Sequence, residues 1–256
     1  MRVLRTKTEL REALEGVGER SIGLVPTMGA FHNGHLALFG AAREENDIVV
    51  ASLFVNPAQF GQDDDLERYP RNEERDAKVA EDAGVDFLFV PSADEMYASG
   101  HETWVELDQL GSVLEGEFRP GHFRGVATVC LKLFNLVRPQ RAYFGQKDAQ
   151  QSAVIRTMVR DLDLEVEVRV LRTVRDADGL AVSSRNAHLS PAEREVALQL
   201  PRALQEKDAT SARAALNGLE VDYLEVAEFE PRVLAAAVRV GETRLIDNVV
   251  LEGEDT

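Results

Sequence analysis

"SIGLVPTMGAFHNGHLALF" occupies residues 21–39, and no Asp, Glu, Lys or Arg occurs anywhere in residues 21–42. Its first part, "SIGLVPT", is apolar along nearly its whole length, as expected of a strand buried on both faces. The run ends at Pro26, Gly29 and Gly34 loosen the chain, and a helical pattern follows from about Gly34. A strand, a loop and a helix start in that order form the repeating half of a parallel α/β sheet. The start of a helix offers unpaired N–H groups and about half a positive charge, so an anion belongs there. His32 and His35, three residues apart, can face one ligand. Three readings are open for this pair: a metal site, two satisfied loop histidines, or two donors to phosphate. The metal reading is the weakest, because zinc needs a third protein ligand, no HExxH pattern occurs, and His101, His122 and His188 have no ligand-like spacing. No metal-ligating residue can be named from the sequence.

Further runs of strand length are "DIVVASLFV" (47–55), "DFLFV" (86–90), "RAYFG" (141–145) and "EVEVRVL" (165–171), with helical patterns between them. The clearest helix lies in "RGVATVCLKLFNLVRP", where Val126, Val129, Cys130, Leu133 and Val137 keep helical spacing and Pro139 marks the end. This alternation predicts a doubly wound parallel sheet, with ligands beyond the carboxyl ends of the strands. After Leu171 the alternation stops. A polar loop, helices from about Pro191 and three short strands ("DYLEVAEF", "AAAVRV", "TRLIDNVVL") predict a smaller C-terminal α+β domain. We therefore expect domains at 1–171 and 172–256, with the acidic run Asp63, Asp64 and Asp65 as a solvated loop.

The 256 residues are 44% hydrophobic and carry a net charge of −16. That charge argues against a nucleic-acid surface, which needs clustered cations. A small anionic substrate remains compatible if charge is segregated. Residues 118–147 hold six basic side chains (Arg119, Arg124, Lys132, Arg138, Arg141, Lys147) and no acid. The single cysteine, Cys130, excludes an internal disulfide framework. No apolar run approaches the roughly 20 residues of a membrane span, and the first residues lack a signal-peptide core. A cytoplasmic protein without membrane contact is expected.

Three further loops follow strands or link the domains. "FVNPAQF" presents Asn56 and Gln59, neutral groups suited to fixing hydroxyls or carboxyls. "YFGQKDAQQ" places Lys147 and Asp148 near a helix start, with Gln151 one turn on. "AVSSRN" supplies two hydroxyls and a forked cation, suited to clamping phosphate from a mobile segment. Each alone has a bland reading as turn or surface residues.

Together, "PTMGAFHNGH", "FVNPAQF", "RPGHFRGVATV", "YFGQKDAQQ", "DGLAVSSRN" and "RLIDN" resemble, in order, the motifs of the pantothenate synthetase (pantoate–beta-alanine ligase) family. That family lies within the HxGH nucleotidyltransferases of Rossmann-like fold. The resemblance runs from about residue 3 to residue 251. It implies that ATP and (R)-pantoate form pantoyl adenylate and pyrophosphate, and that β-alanine then displaces AMP to give pantothenate. Met28, Gly29, Ala30, Phe31, His32, Asn33, Gly34 and His35 would bind ATP, with His35 the proton donor and His32 and Lys147 beside it in catalysis. Gly145, Gln146, Lys147 and Asp148, with Val174, would hold the nucleotide. Val182, Ser183, Ser184 and Arg185 would be the counterpart of the KMSKS loop. Gln59 and Gln151 would hold pantoate, with Asn56, His122 and Tyr69 as neighbours of the substrate. Mg²⁺ accompanying ATP and a homodimer are also implied.

Some residues depart from the family pattern. Gln146 stands where Glu is usual, Ala58 and Ala149 where larger residues are, and Val182 where Met or Leu is. The stretch after "LQLPRAL" is shorter than the family norm. Two alternatives compete with the ligase: another HxGH adenylyltransferase, against which the neutral groups of "FVNPAQF" and Gln151 speak, and a non-catalytic nucleotide-binding module.

Overall fold

The computed structural model describes residues 1–61, 66 and 69–251; the run Asp63, Asp64 and Asp65 lies outside the described residues. In chain order the strands are β1 (Arg2–Leu4), β2 (Ile22–Thr27), β3 (Ile48–Leu53), β4 (Phe87–Phe89), β5 (Arg141–Gly145), β6 (Glu167–Leu171), β7 (Glu220–Ala227), β8 (Val233–Val240) and β9 (Thr243–Val250). The helices are α1 (Lys7–Glu15), α2 (Asn33–Glu45), α3 (Glu73–Asp82), α4 (Ala93–Met96), α5 (Glu115–Phe118), α6 (His122–Val137), α7 (Ala149–Asp161), α8 (Pro191–Ala197), α9 (Gln199–Leu204) and α10 (Ala209–Ala215).

Local chemistry sets many of these boundaries. Thr6 and Glu9 close a capping box at the start of α1, and Ser190 and Glu193 close another at α8 with Pro191 in its first turn. Asn72 caps α3 by accepting from the Arg75 N–H at 3.0 Å. Helix α6 buries Val126, Val129, Cys130, Leu133 and Val137, the residues whose spacing predicts it. It ends where Arg138 turns left-handed and donates its N–H to Phe134, just before Pro139.

The first six strands form one parallel sheet in the order β1-β4-β3-β2-β5-β6. Chain order reverses between β2 and β5, the neighbouring strands that lead into the "PTMGAFHNGH" and "YFGQKDAQQ" segments. Consecutive strand residues point to opposite faces: Leu24 and Val50 pack with Leu10, Leu133 and Ile155, whereas Val25 and Val49 pack with Phe39 and Ala80. Helices therefore cover both faces, as a doubly wound sheet requires. The short β1 and the helix that follows it were not predicted from the sequence.

The chain divides into two compact units. One comprises Met1–Phe31, His35–Phe144 and Val154–Leu171. The other comprises Arg172–Thr256 together with His32–Gly34 and Gly145–Ala153. Two short pieces within 1–171 thus group with the C-terminal residues. In the second unit β7, β8 and β9 form an antiparallel sheet whose Leu224, Leu234, Val238 and Leu245 pack with Leu200, Leu204 and Leu216.

Gly125 of α6 shows how closely the first unit is packed around the "FVNPAQF" turn. A methyl group there would overlap the backbone carbonyl of Ala58 and lie 2.6 Å from Gln59 Cα. Backbone cannot give way as a flexible side chain does. Gly125→Ala is expected to cost about 1–3 kcal/mol, read as a lowered urea midpoint at constant slope. An unchanged midpoint would show that helix and turn are not in contact.

Candidate active site

In the first unit, β2 ends at Thr27 and the chain turns through Gly29 (φ 93°) and Ala30 (φ 54°). A left-handed alanine is uncommon and persists only where its surroundings hold it. The holder is Asp76 of α3, 1% exposed, whose carboxylate accepts from the N–H of Ala30 at 2.7 Å and of Phe31 at 2.9 Å. Thr27 Oγ1 accepts from the Gly29 N–H at 3.3 Å, and the adjacent Arg75 donates to the Phe31 carbonyl. These loop amides, which precede the start of α2 at Asn33, are occupied within the protein. Phe31 is buried against Phe39, and the His35 ring lies 5.2 Å from the Phe31 ring, tilted.

Asn56 and Gln59 stand in and beside the turn Pro57–Gln59, both buried. Asn56 Nδ2 donates to Gln59 Oε1 and to the Gly125 carbonyl, each at 3.1 Å. Its Oδ1 accepts from the Ala58 N–H at 3.2 Å and the Tyr97 hydroxyl at 2.9 Å. All four hydrogen-bonding positions of this amide are used. In the structure Asn56 holds Gln59, and His122 meets the same turn. Its Nδ1 lies 2.9 Å from the Gln59 carbonyl, which can only accept, and its Nε2 lies 3.2 Å from Arg119. Gln59 Nε2 donates to Met28 Sδ at 3.0 Å, and Tyr69 packs edge-on against Phe60.

The basic window 118–147 also reads differently in the structure. Arg141 pairs with Glu167 at the amino end of β5, Arg124 stacks on Trp104, and Lys132 lies over Tyr97. These three cations serve packing, not a field at the strand ends.

In the second unit, Gln146–Asp148 form a 3-10 turn that runs into α7, so Gln151 sits in that helix's first turn. Lys147 Nζ is 3.6 Å from Asp148 Oδ1. Val174 and Val182, separate features along the sequence, are joined: the Val182 N–H donates to the Val174 carbonyl at 2.9 Å across a hairpin closed by Asp176 and Leu180. The hairpin delivers Ser183, which caps the turn Ser184–His188 by accepting from the Arg185 N–H at 3.3 Å; Arg185 itself is exposed.

His32 Nδ1 accepts from the Gly34 N–H at 3.1 Å. A nitrogen that accepts carries no proton, so the neutral ring is protonated at Nε2. Burial holds the His32 imidazole below its ordinary range, and the Lys147 ammonium adds to this, opposed by Asp148 and Asp176. Asn33 is exposed at the start of α2. A methyl group on Gly34 would meet the His32 ring at 2.9 Å and push it aside. Asp76, Asn248 and Arg175 were not predicted from the sequence. Asp76 is one of several acids in the first turn of α3, and nothing local marks it out.

Residues 2–250 match the family model for pantoate-beta-alanine ligase. The chain is 48% identical to a pantothenate synthetase of Moorella thermoacetica, covering all of both chains. That alignment is 283 positions long against 256 residues here, leaving at least 27 positions without a counterpart. A pantothenate synthetase of Corynebacterium efficiens is 50% identical, with 98% of this chain and 99% of that one covered. Among solved structures, pantothenate synthetase from Thermus thermophilus superposes with a TM-score of 0.94 at 46% identity, covering 99% of this chain and all of that one. A pantoate-beta-alanine ligase from Francisella tularensis, complexed with a βγ-ATP species and β-alanine, superposes at 0.88 and 33% identity, with 99% of each chain covered.

The geometry at His32 makes a prediction for NMR. In ¹H–¹⁵N spectra His32 should show the Nε2–H tautomer and titrate below about 6.5, the ordinary histidine value. Because its folded pKa is depressed, its contribution to stability is complete above about 6.5 and declines as pH falls toward the folded value. An Nδ1–H tautomer, or a pKa above the ordinary value, would contradict the assignment.

Proposed function

The chain belongs to the pantoate–beta-alanine ligase family and is an ATP-dependent acid–amine ligase that forms pantothenate; from this premise we propose how its residues divide the work. The near end-to-end match to the family carries the assignment of the reaction. A carboxylate oxygen of pantoate attacks the α-phosphorus of ATP, and the bond to pyrophosphate breaks. The amine of β-alanine then attacks the acyl carbon of the adenylate, AMP leaves with the bridging oxygen, and the amine gives up a proton. Both steps join or part anions, so orientation and charge stabilisation dominate.

The segment Met28, Gly29, Ala30, Phe31, His32, Asn33, Gly34 and His35 takes the nucleotide through side chains more than amides, since Asp76 already occupies the N–H groups of Ala30 and Phe31. His32 is a fixed, neutral hydrogen-bond donor: with Nδ1 accepting from Gly34 it offers Nε2–H and shuttles no proton. That leaves His35 as the donor when negative charge builds on the phosphate. Lys147 supplies a mobile ammonium, Gly145, Gln146 and Asp148 line the same segment, and Val174 with Val182, Ser183, Ser184 and Arg185 clamps the phosphates. Gln59 and Gln151 hold pantoate. Gln59 can do so because Asn56 and His122 immobilise it, leaving one Nε2–H to donate. Tyr69, against Phe60, closes the pantoate end.

Mg²⁺ enters with the triphosphate. Phosphate oxygens and waters would supply most of its ligands, and Asp148 beside Lys147 is the carboxylate of that segment that could join them. When bound, the ion neutralises phosphate charge. The enzyme works in the cytoplasm, in keeping with a lone, fully buried Cys130 whose thiol is pushed up to about 12. It forms a homodimer; exposed Trp104, Val113 and Phe118 on one short stretch support this.

AMP release should require pantoate, and sustained turnover should also require β-alanine. ATP consumption indifferent to pantoate would overturn the reading. His35→Ala should lower kcat at least about 100-fold, the scale for losing one transition-state donor, with an unchanged melting temperature. An unchanged rate would make His35 structural.

A further inference from the structure

The terminal "RLIDN" motif has no place in the division of work above, yet it is the most heavily wired part of β9. Asp247 and Asn248 are 2% and 4% exposed on an edge strand, opposite Ala236 and Ala235. Polar side chains buried there are unfavourable unless fully hydrogen-bonded. Their partners lie outside the sheet. Asn248 Nδ2 donates one hydrogen to the Gln146 carbonyl and the other to the Lys147 carbonyl, both at 2.9 Å. Its Oδ1 accepts from Gln146 Nε2 at 3.1 Å. Asp247 takes the guanidinium of Arg175 in a fork, Oδ2 from Nη1 at 2.6 Å and Oδ1 from Nη2 at 3.0 Å. The Asn248 N–H donates to Asp247 Oδ1 at 2.8 Å, locking the two residues together.

One dipeptide thus holds two segments far away in the chain. Arg175 lies at the base of the hairpin that delivers Ser183, Ser184 and Arg185; Gln146 and Lys147 are the turn that carries the ammonium. Each backbone carbonyl has two lone pairs, so one bonded within a helical turn can still accept from a side chain. A primary amide offers two hydrogens in one plane, so it can fix two consecutive carbonyls at once. Aspartate has no hydrogen to donate and would set an anion against both carbonyls; alanine would remove both side-chain donors.

We propose that Asn248 is a positioning residue for the ATP phosphates, fixing the backbone of Lys147 so that only its side chain moves, while Asp247 sets the phosphate-clamping loop through Arg175. This rests on the reading that Lys147 serves the phosphates. Asn248 touches no substrate and acts only through Lys147.

The test is a double-mutant cycle in the full-length enzyme, with pantothenate formation as the readout and steady-state constants for each substrate. Asn248→Ala should lower kcat/KM for ATP by about 100-fold, the scale of a misplaced catalytic group, and leave the KM for β-alanine unchanged. In a Lys147→Ala background the same substitution should add no more than about 2-fold, because the group it positions is gone. Asn248→Thr, which keeps one donor on a strand-forming side chain, should fall between wild type and alanine and covers the case in which the alanine variant does not fold. Equal losses in both backgrounds, or losses spread equally over all substrates, would overturn the proposal and leave the assignment of Lys147 standing. A fully active Lys147→Ala enzyme would instead overturn the assignment of Lys147.

Discussion

A buried hydrogen-bonding group must find a partner, and in this chain that requirement fixes the loops that carry the chemistry. Loops leaving the ends of parallel strands have little ladder of their own. Here three of them are held by a buried polar side chain, in two cases from a distant element. Asp76 holds the amides of Ala30 and Phe31, Asn56 holds Gln59 against Gly125, and Asn248 holds the carbonyls of Gln146 and Lys147. The side chains proposed for the chemistry stand on this backbone, so these supports set their precision.

The same wiring explains how a protein of net charge −16 can handle a triphosphate. At physiological salt, charges act over about 8 Å, so the overall balance matters less than what stands beside the substrate. Several cations that look available are committed elsewhere: Arg141 to Glu167, Arg175 to Asp247, Arg194 to Asp176 and Asp178. In the proposed division of work, positive charge for phosphate comes from Lys147 and Arg185, supplemented by the neutral Nε2–H of His32. Holding His32 neutral keeps a donor in place without adding a third charge near Lys147.

Much of this was legible from residue order. Continuous apolar runs disclosed β2, β3 and β5, and the spacing of Val126, Val129, Cys130, Leu133 and Val137 disclosed α6, because periodicity reports burial directly. The loops that carry chemistry were legible as six motifs in order. The supports were not. Asp76 acts across 46 residues and Asn248 across 102, and no local pattern encodes a partner that far away. The Asn248 bonds accompany the grouping of Gly145–Ala153 with the C-terminal residues. Asn56 and His122 were recognised by type, but not the contacts they make with Gln59. A neutral amide and an imidazole suit a substrate as well as a neighbour, and only the geometry shows which of their atoms are already taken.

Everything assigned to these loops depends on one chemical event, attack of the pantoate carboxylate on the α-phosphorus. Pantoate labelled with ¹⁸O in both carboxylate oxygens follows it directly by mass spectrometry of the products. One labelled oxygen should appear in AMP and the other in the amide carbonyl of pantothenate. AMP free of label, or label carried into pyrophosphate or orthophosphate, would contradict this chemistry.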